Sequence, residues 1–407
     1  MNQLGDFELA KWGHGDHNGL VKISAAGSQG PAMSLNDLKA ISTDPEATSA
    51  ALNFDDMKLT AAHTTTDAVT HHLASFYDST KVFVQPSDIL LAHGTTGANS
   101  IVLQGLLSPG DHVISTFPTY APLFSLAKAC GATLSFLRLR DENNWTIDIP
   151  ELEALIKPET KMLILNNPHN PTGSTISTST QAALVALAAK HDLILFCDEI
   201  FRPLFHIAEH PSSFLEHASK SYDRIVVTGS LSKAWGFAGV RIGWAATTSP
   251  ALREKMRRVR EWILQEVGEV DKRIAGEVLG PRCCSAILAK NLEIARENWG
   301  LLREFLRVWE GSVRCVVPTG GSTAFVRFLR KGGEGGEVRP VDDLLFCQGL
   351  LEETGVLVSP GRLCFGPDEE ELKGYVRMHI CIPPDNFRRA IEGLERFLKS
   401  DRFAKIQ

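Results

Sequence analysis

Short runs of apolar residues recur through the middle of the chain, each bounded by turn residues. They fall at 88–92, 112–115, 133–137, 161–165, 193–197, 224–228 and 241–246. Most are apolar almost throughout, the pattern of strands covered on both faces rather than one. Between them lie stretches with helical period, such as 180–190, and turn markers such as Pro109-Gly110. Strand and helix in alternation predict an α/β layered domain around a mainly parallel seven-stranded sheet. Past about Gly280 the texture changes. A long helical stretch, 286–310, leads to a strand-like run at 318–328 and to a charged, Gly-rich loop at 330–339. A last apolar run, 375–382, then precedes an amphipathic helix at 384–398. This divides the chain into a large domain, 45–280, and a smaller C-terminal α/β domain, 281–407, joined by an N-terminal arm, 1–44.

Composition narrows the class. With 407 residues, 43% hydrophobic and 22% charged, the chain can bury more than one core. The net charge of −6 argues against nucleic acid or an anionic membrane as partner. The basic stretch 253–260 has acidic residues on both sides and reads as a solvated helix face. The first fifteen residues lack the basic and apolar regions of a signal peptide, and no apolar run reaches the length of a membrane span. Eight Cys without metal-like spacing suit free thiols in a reducing compartment, which makes the cytoplasm the expected location and leaves no metal site.

Three expected strands run into unusual polar sequences, and ligands of open α/β sheets bind outside the carboxyl ends of strands. They are Asn166-Asn-Pro-His-Asn-Pro-Thr-Gly173, Asp198-Glu-Ile-Phe201, and Ser230-Leu-Ser-Lys-Ala-Trp-Gly-Phe-Ala-Gly-Val-Arg241-Ile-Gly243. In the last, Lys233 sits between small residues just past an apolar strand, where desolvation lowers an amine's pKa and makes it a nucleophile toward an aldehyde. Ser230 and Arg241 flank it with a hydroxyl and a permanent cation, a pair suited to a phosphate dianion. Taken singly, each segment reads equally well as a turn.

Together they carry a resemblance. From about Leu52 onward the chain resembles the class I/II aminotransferases of the fold-type I group, which use pyridoxal 5′-phosphate (PLP). The pattern Ser-x-Ser-Lys-x-(aromatic)-x-x-x-Gly-x-Arg-x-Gly is the most specific match. The resemblance implies Lys233 as the Schiff-base lysine, Ser230 and Arg241 on the cofactor phosphate, Asp198 paired with the pyridine nitrogen, and Asn170 as a donor to the ring 3′-oxygen. His93-Gly-Thr-Thr-Gly-Ala-Asn99 matches a phosphate-binding turn, pointing to Thr95, Thr96 and Gly97. Pro118-Thr-Tyr120 matches the place of an aromatic ring stacked on the pyridine. Gly374-Tyr-Val-Arg377-Met-His matches the region of the arginine that takes the substrate α-carboxylate, with Asn170 and Gly27 beside it. An amino acid as substrate, a keto acid as its partner, and a homodimer follow from the same resemblance.

The match has two breaks. Where the family usually has Tyr three residues after the Asp, this chain has Phe201, and a lost hydrogen bond of that kind costs roughly 0.5–1.5 kcal/mol. Where the family has a Tyr before the first large-domain helix, this chain has Ala61, with His63 and Thr64–Thr66 as nearby substitutes. Several stretches, among them Arg202-Pro-Leu-Phe-His206, are similar to a subgroup containing capreomycidine synthase-like proteins, whose members also eliminate, cyclise or oxidise. Aminotransferase is the leading expectation; a PLP lyase, cyclase or amino-acid oxidase on the same scaffold is the alternative.

Overall fold

The computed structural model describes residues 4–58, 68–331, 338–366 and 370–406. Ala61, His63 and Thr64–Thr66, and most of the Gly-rich loop, lie outside the described residues. Among these residues, seven strands form the larger sheet: β1 (Ile89–His93), β2 (His112–Phe117), β3 (Thr133–Arg138), β4 (Thr160–Asn166), β5 (Ile194–Asp198), β6 (Ile225–Ser230) and β7 (Ile242–Ala246). Their spatial order is β1-β7-β6-β5-β4-β2-β3. Every pairing is parallel except the two made by β7, which runs antiparallel to β1 and to β6. The sheet is therefore mainly parallel, as expected, with one reversed strand.

Side chains alternate across a strand, so each central strand feeds two cores. Leu163, Leu165, Leu195, Cys197, Ile225 and Val227 point into one core, which also holds Leu73, Leu184, Val278 and Ile287 from helices. Met162, Ile164, Ile194, Phe196 and Val226 point into the other, with Ile101, Val102, Leu123 and Met256. Helices on both faces explain why the strands read as unbroken apolar runs. Phe196 is fully buried, so Phe196→Ala costs roughly 3–5 kcal/mol.

A third core collects the C-terminal part of the chain around a smaller sheet. Its strands are β8 (Val313–Cys315), β9 (Thr323–Lys331), β10 (Val338–Pro340), β11 (Ser359–Pro360) and β12 (Tyr375–His379). β12 lies antiparallel between β9 and β11. The helix Pro384–Leu398 buries Phe387, Ala390, Leu394 and Phe397 against this sheet, a spacing of three to four residues that keeps one apolar stripe inward. Ile23 and Ala25 of the N-terminal arm belong to the same core, and the arm's strand Ile23–Ser24 pairs in parallel with Val356–Leu357. Arg362 bonds Asp342 and the fully buried Asp343 at 2.5 and 2.8 Å, closing an ion cluster at the edge of this unit.

Candidate active site

Register brings the three polar segments together. Asn166 at the end of β4 pairs with Asp198 at the end of β5, and Asp198 with Thr228 of β6. Beyond these ends lies a cavity of about 570 Å³. The helix Gly94–Leu106 contributes Thr95 and Thr96, the start of helix Ala121–Ala129 contributes Tyr120, and the loop after β4 contributes Asn170. Asp198 enters from the end of β5, Lys233 and Arg241 from the connection between β6 and β7, Arg377 from β12, and Gly27 from the arm. Gly97 and Ser230 are not on this wall. Ser230 is fully buried at the end of β6, where its hydroxyl accepts from the Ser232 N–H at 3.2 Å. Ser232 itself reaches the cavity.

Asp198 is almost completely buried, yet both carboxylate oxygens are held. Oδ2 accepts from Asn99 Nδ2 at 2.9 Å and Oδ1 from the Ile200 N–H at 3.0 Å. Asn99 is fixed in turn by the Thr228 hydroxyl, which donates to its Oδ1 at 2.7 Å. Burial pushes the Asp198 carboxyl up to about 6, opposed by Asn99 and Ile200 and by the charge of Lys233. Asn166 ties the strand end to the next loop. Its amide donates to the Asp198 carbonyl at 2.7 Å and accepts from the Asn170 N–H at 2.7 Å.

Lys233 points into the same space. Burial lowers its amine to about 7; Arg377 and Arg241 push the same way and Asp198 resists. Its Nζ donates to Ser28 Oγ at 2.7 Å. Arg377 is held as a fork: one terminal nitrogen donates to Asn170 Oδ1 at 3.0 Å, the other to the carbonyls of Ala26 and, at 3.2 Å, Gly27. Its guanidinium lies 4.9 Å from the centre of the Phe365 ring. Burial brings it down to about 10, so it stays charged at neutral pH, and its Nε has no partner.

At the other end, Gly94 has φ +67, and a Cβ there would collide with the Arg241 guanidinium. That contact, and the bond from the Gly94 N–H to the Arg241 carbonyl at 2.9 Å, press Arg241 against the first turn of the helix. Arg241 donates to the Ala238 carbonyl at 2.8 Å and meets Ser232 Oγ at 3.5 Å. The Thr95 hydroxyl is buried without a partner. Tyr120 is raised by burial and opposed by a hydrogen bond with Thr96.

An orphaned threonine hydroxyl, a guanidinium and the N-terminal end of a helix fit a phosphate. A second guanidinium with an orphaned Nε fits a carboxylate, and a desolvated amine lies near a buried acid between them. Among the described residues Asp198 is the one carboxylate on the wall, against Lys233, Arg241 and Arg377. The donor set therefore fits a phosphorylated aromatic aldehyde with an amino acid beside it. Phe201 lines the cavity and brings no hydroxyl. No group of His, Cys, Asp and Glu among the described residues is arranged to hold a metal, and no helix there is long and apolar enough to cross a membrane.

Several wall or support residues escaped sequence reasoning: Ser28, Asn99, Asn166, Ser232, and the helix Glu8–His14, whose Leu9, Ala10, Gly13 and His14 close one side of the cavity. Asn99 carried a signal, lying one helical turn past Thr95. Ser28 carried none.

The chain matches the family described as aminotransferase class I and II over residues 33–394. Capreomycidine synthase from Streptomyces vinaceus is 33% identical over 287 residues, 70% of this chain and 69% of that protein. A PLP-dependent aminotransferase from Streptococcus suis superposes with a TM-score of 0.81 and 30% identity over 98% of each chain. The PLP-dependent cyclase OrfR superposes with a TM-score of 0.82 and 25% identity, again over 98% of each. The chain belongs to the class I and II aminotransferase family and is a PLP-dependent enzyme.

Proposed function

We propose that the enzyme transaminates an amino acid, with Lys233 as both the anchor of the cofactor and the group that moves the substrate proton. The observation that carries this reading is the Lys233 amine, half-buried on the cavity wall, bonded to Ser28 Oγ at 2.7 Å and lowered to about 7 in the company of Asp198 and Arg377. An amine of that pKa is substantially neutral at physiological pH and can take a proton or return one. Arg241, Thr95, Thr96 and Ser232 would hold the cofactor phosphate, with Gly97 in the same helical turn and Ser230 supporting the Ser232 backbone. Asp198 would hold the ring nitrogen, Tyr120 one ring face and Asn170 the ring oxygen. When bound, PLP supplies a ring that accepts the electrons left on Cα. Arg377, steadied by Asn170 and the Gly27 carbonyl, binds the substrate carboxylate and so turns the Cα proton toward Lys233. A homodimer, a cytoplasmic setting and a keto acid as the second substrate are parts of the same proposal.

A second reading, a cyclase or lyase of specialised metabolism, is supported by the likeness to capreomycidine synthase and to OrfR. One experiment separates them. Purified protein is loaded with PLP and reduced with borohydride, and the modified residue is located by mass spectrometry. A panel of amino acids is then screened for change in the cofactor absorbance. The pyridoxamine form with a keto acid product supports transamination; retention of the aldehyde form with ammonia or a cyclised product supports the second reading. A cofactor attached elsewhere than Lys233 overturns both.

A further inference from the structure

Ser28 lies 205 residues before Lys233 in the chain, yet its Oγ is 2.7 Å from the lysine Nζ. The arm that carries it is braced against the site. The Ser28 carbonyl accepts from the Ser322 hydroxyl at 2.6 Å and its N–H donates to Gln29 Oε1 at 3.2 Å. The His379 ring hydrogen-bonds the Gln29 backbone, and the Gly30 N–H donates to the Lys233 carbonyl at 3.0 Å. Arm and lysine loop touch backbone to backbone. A Cβ on Gly236, which has φ +80, would come within 2.8 Å of the Pro31 carbonyl. With its backbone pinned and only 5% of its surface exposed, Ser28 keeps one rotatable bond to aim its hydroxyl.

The other groups facing Nζ cannot do what this hydroxyl can. Arg377 and Arg241 repel an ammonium, and both oxygens of Asp198 are engaged by Asn99 and Ile200. His379 is kept neutral by burial and by the charges of Lys233 and Arg377. A serine hydroxyl accepts from an ammonium or an amine and can also donate to an amine lone pair. It therefore suits a lysine that must exist in both forms within one turnover.

We propose that Ser28 is a positioning residue that holds the free Lys233 amine over the cavity while the proton leaves Cα for Nζ and returns from it. The inference rests on the reading of Lys233 given above.

The test compares Ser28→Ala and Ser28→Thr with the parent as holoenzymes. Cofactor occupancy is read from absorbance, and the half-reaction with an amino acid is followed by stopped flow from about pH 6 to about pH 10. In Ser28→Ala, occupancy and KM are expected to hold within about threefold while the plateau rate falls about tenfold or more. The ascending limb moves to lower pH by roughly half a unit, because the ammonium has lost an acceptor. Ser28→Thr restores the rate to within about threefold of the parent. Acetylation of Lys233 in the cofactor-free chain, read against pH by mass spectrometry, shows the same displacement without turnover. A Ser28→Ala chain that does not fold is replaced by Ser28→Cys, whose thiol accepts weakly and is judged by the same readings.

The proposal is overturned by an unchanged rate and pH limb in Ser28→Ala, or by a Ser28→Thr as slow as the alanine variant. Loss of occupancy confined to Ser28→Ala also overturns it, since the hydroxyl would then serve the cofactor. A parent that does not bind PLP at Lys233 removes the reading beneath it instead.

Discussion

Replacing Lys233 by Met in the cofactor-free protein isolates what it costs to keep an amine in this cavity. The ordinary value of 10.5 is lowered to about 7. At pH 7 the unfolded chain carries an ammonium, while the folded chain must desolvate that charge or release its proton. A gap of about 3.5 in pKa, at about 1.36 kcal/mol each, sets an upper bound of roughly 4–5 kcal/mol. Met keeps the length of the side chain but forfeits the bond to Ser28, worth roughly 0.5–1.5 kcal/mol. Lys233→Met is therefore expected to be roughly 2–4 kcal/mol more stable at pH 7, a rise of about 2–5 °C in midpoint for a chain of this size. The pH dependence has a definite sign. Between about 7 and 10.5 the unfolded parent binds the proton and the folded parent does not, so the parent gains stability as pH rises. The advantage of Met fades toward zero near pH 10. Calorimetry of both proteins, free of cofactor, at about pH 7, 8.5 and 10 measures it. A Met variant no more stable than its parent at pH 7, or a gap that ignores pH, would refute the reasoning.

Arg377→Lys keeps the charge but loses the planar fork, so KM for the amino acid should rise about 10–100-fold while PLP affinity, titrated by absorbance, changes little. Asn99→Ala strips a partner from Asp198 Oδ2 and from the Thr228 hydroxyl and should cost roughly 2–4 kcal/mol in urea denaturation. Without Asn99 the Asp198 carboxyl rises further, so the PLP affinity deficit should be largest near neutral pH and shrink as pH rises and the acid ionises in both proteins. Arg362→Ala takes the guanidinium from the buried Asp343 carboxylate, leaving it the backbone N–H of residue 362, and should destabilise by roughly 3–5 kcal/mol at pH 7. Burial already raises Asp343, so that loss should diminish as pH falls and the carboxyl takes up a proton.

The larger sheet was legible because helices cover both faces, leaving long apolar runs with sharp ends. The expected strand at 193–197 and the observed Ile194–Asp198 differ by one residue, and the expected helix at 384–398 coincides with the observed one. The reversed direction of β7 was not legible, since an apolar run reads the same either way. Nor does Arg241 belong to that strand: its φ of 51 places it in the turn before Ile242. The run at 318–328 begins as a loop, and β9 starts only at Thr323. Two-residue strands such as Ile23–Ser24 are too short for any period to show. Lys233, Asp198 and Arg377 could be singled out because each follows or sits in a strand within a distinctive local pattern. Ser28 could not, because its significance arises from a contact 205 residues away, and local pattern carries no trace of such a distance.

The pairing of Ile23–Ser24 with Val356–Leu357 also dictates an order of assembly. The arm is translated long before its hydrogen-bonding partners at Gly355 and Leu357, and Lys233 lies between. While the polypeptide is being synthesised, the central sheet can condense on its own contacts as the arm waits. The pocket wall the arm supplies therefore closes only after Leu357 has emerged, and a nascent chain shorter than that has no finished chamber in which to capture the vitamin.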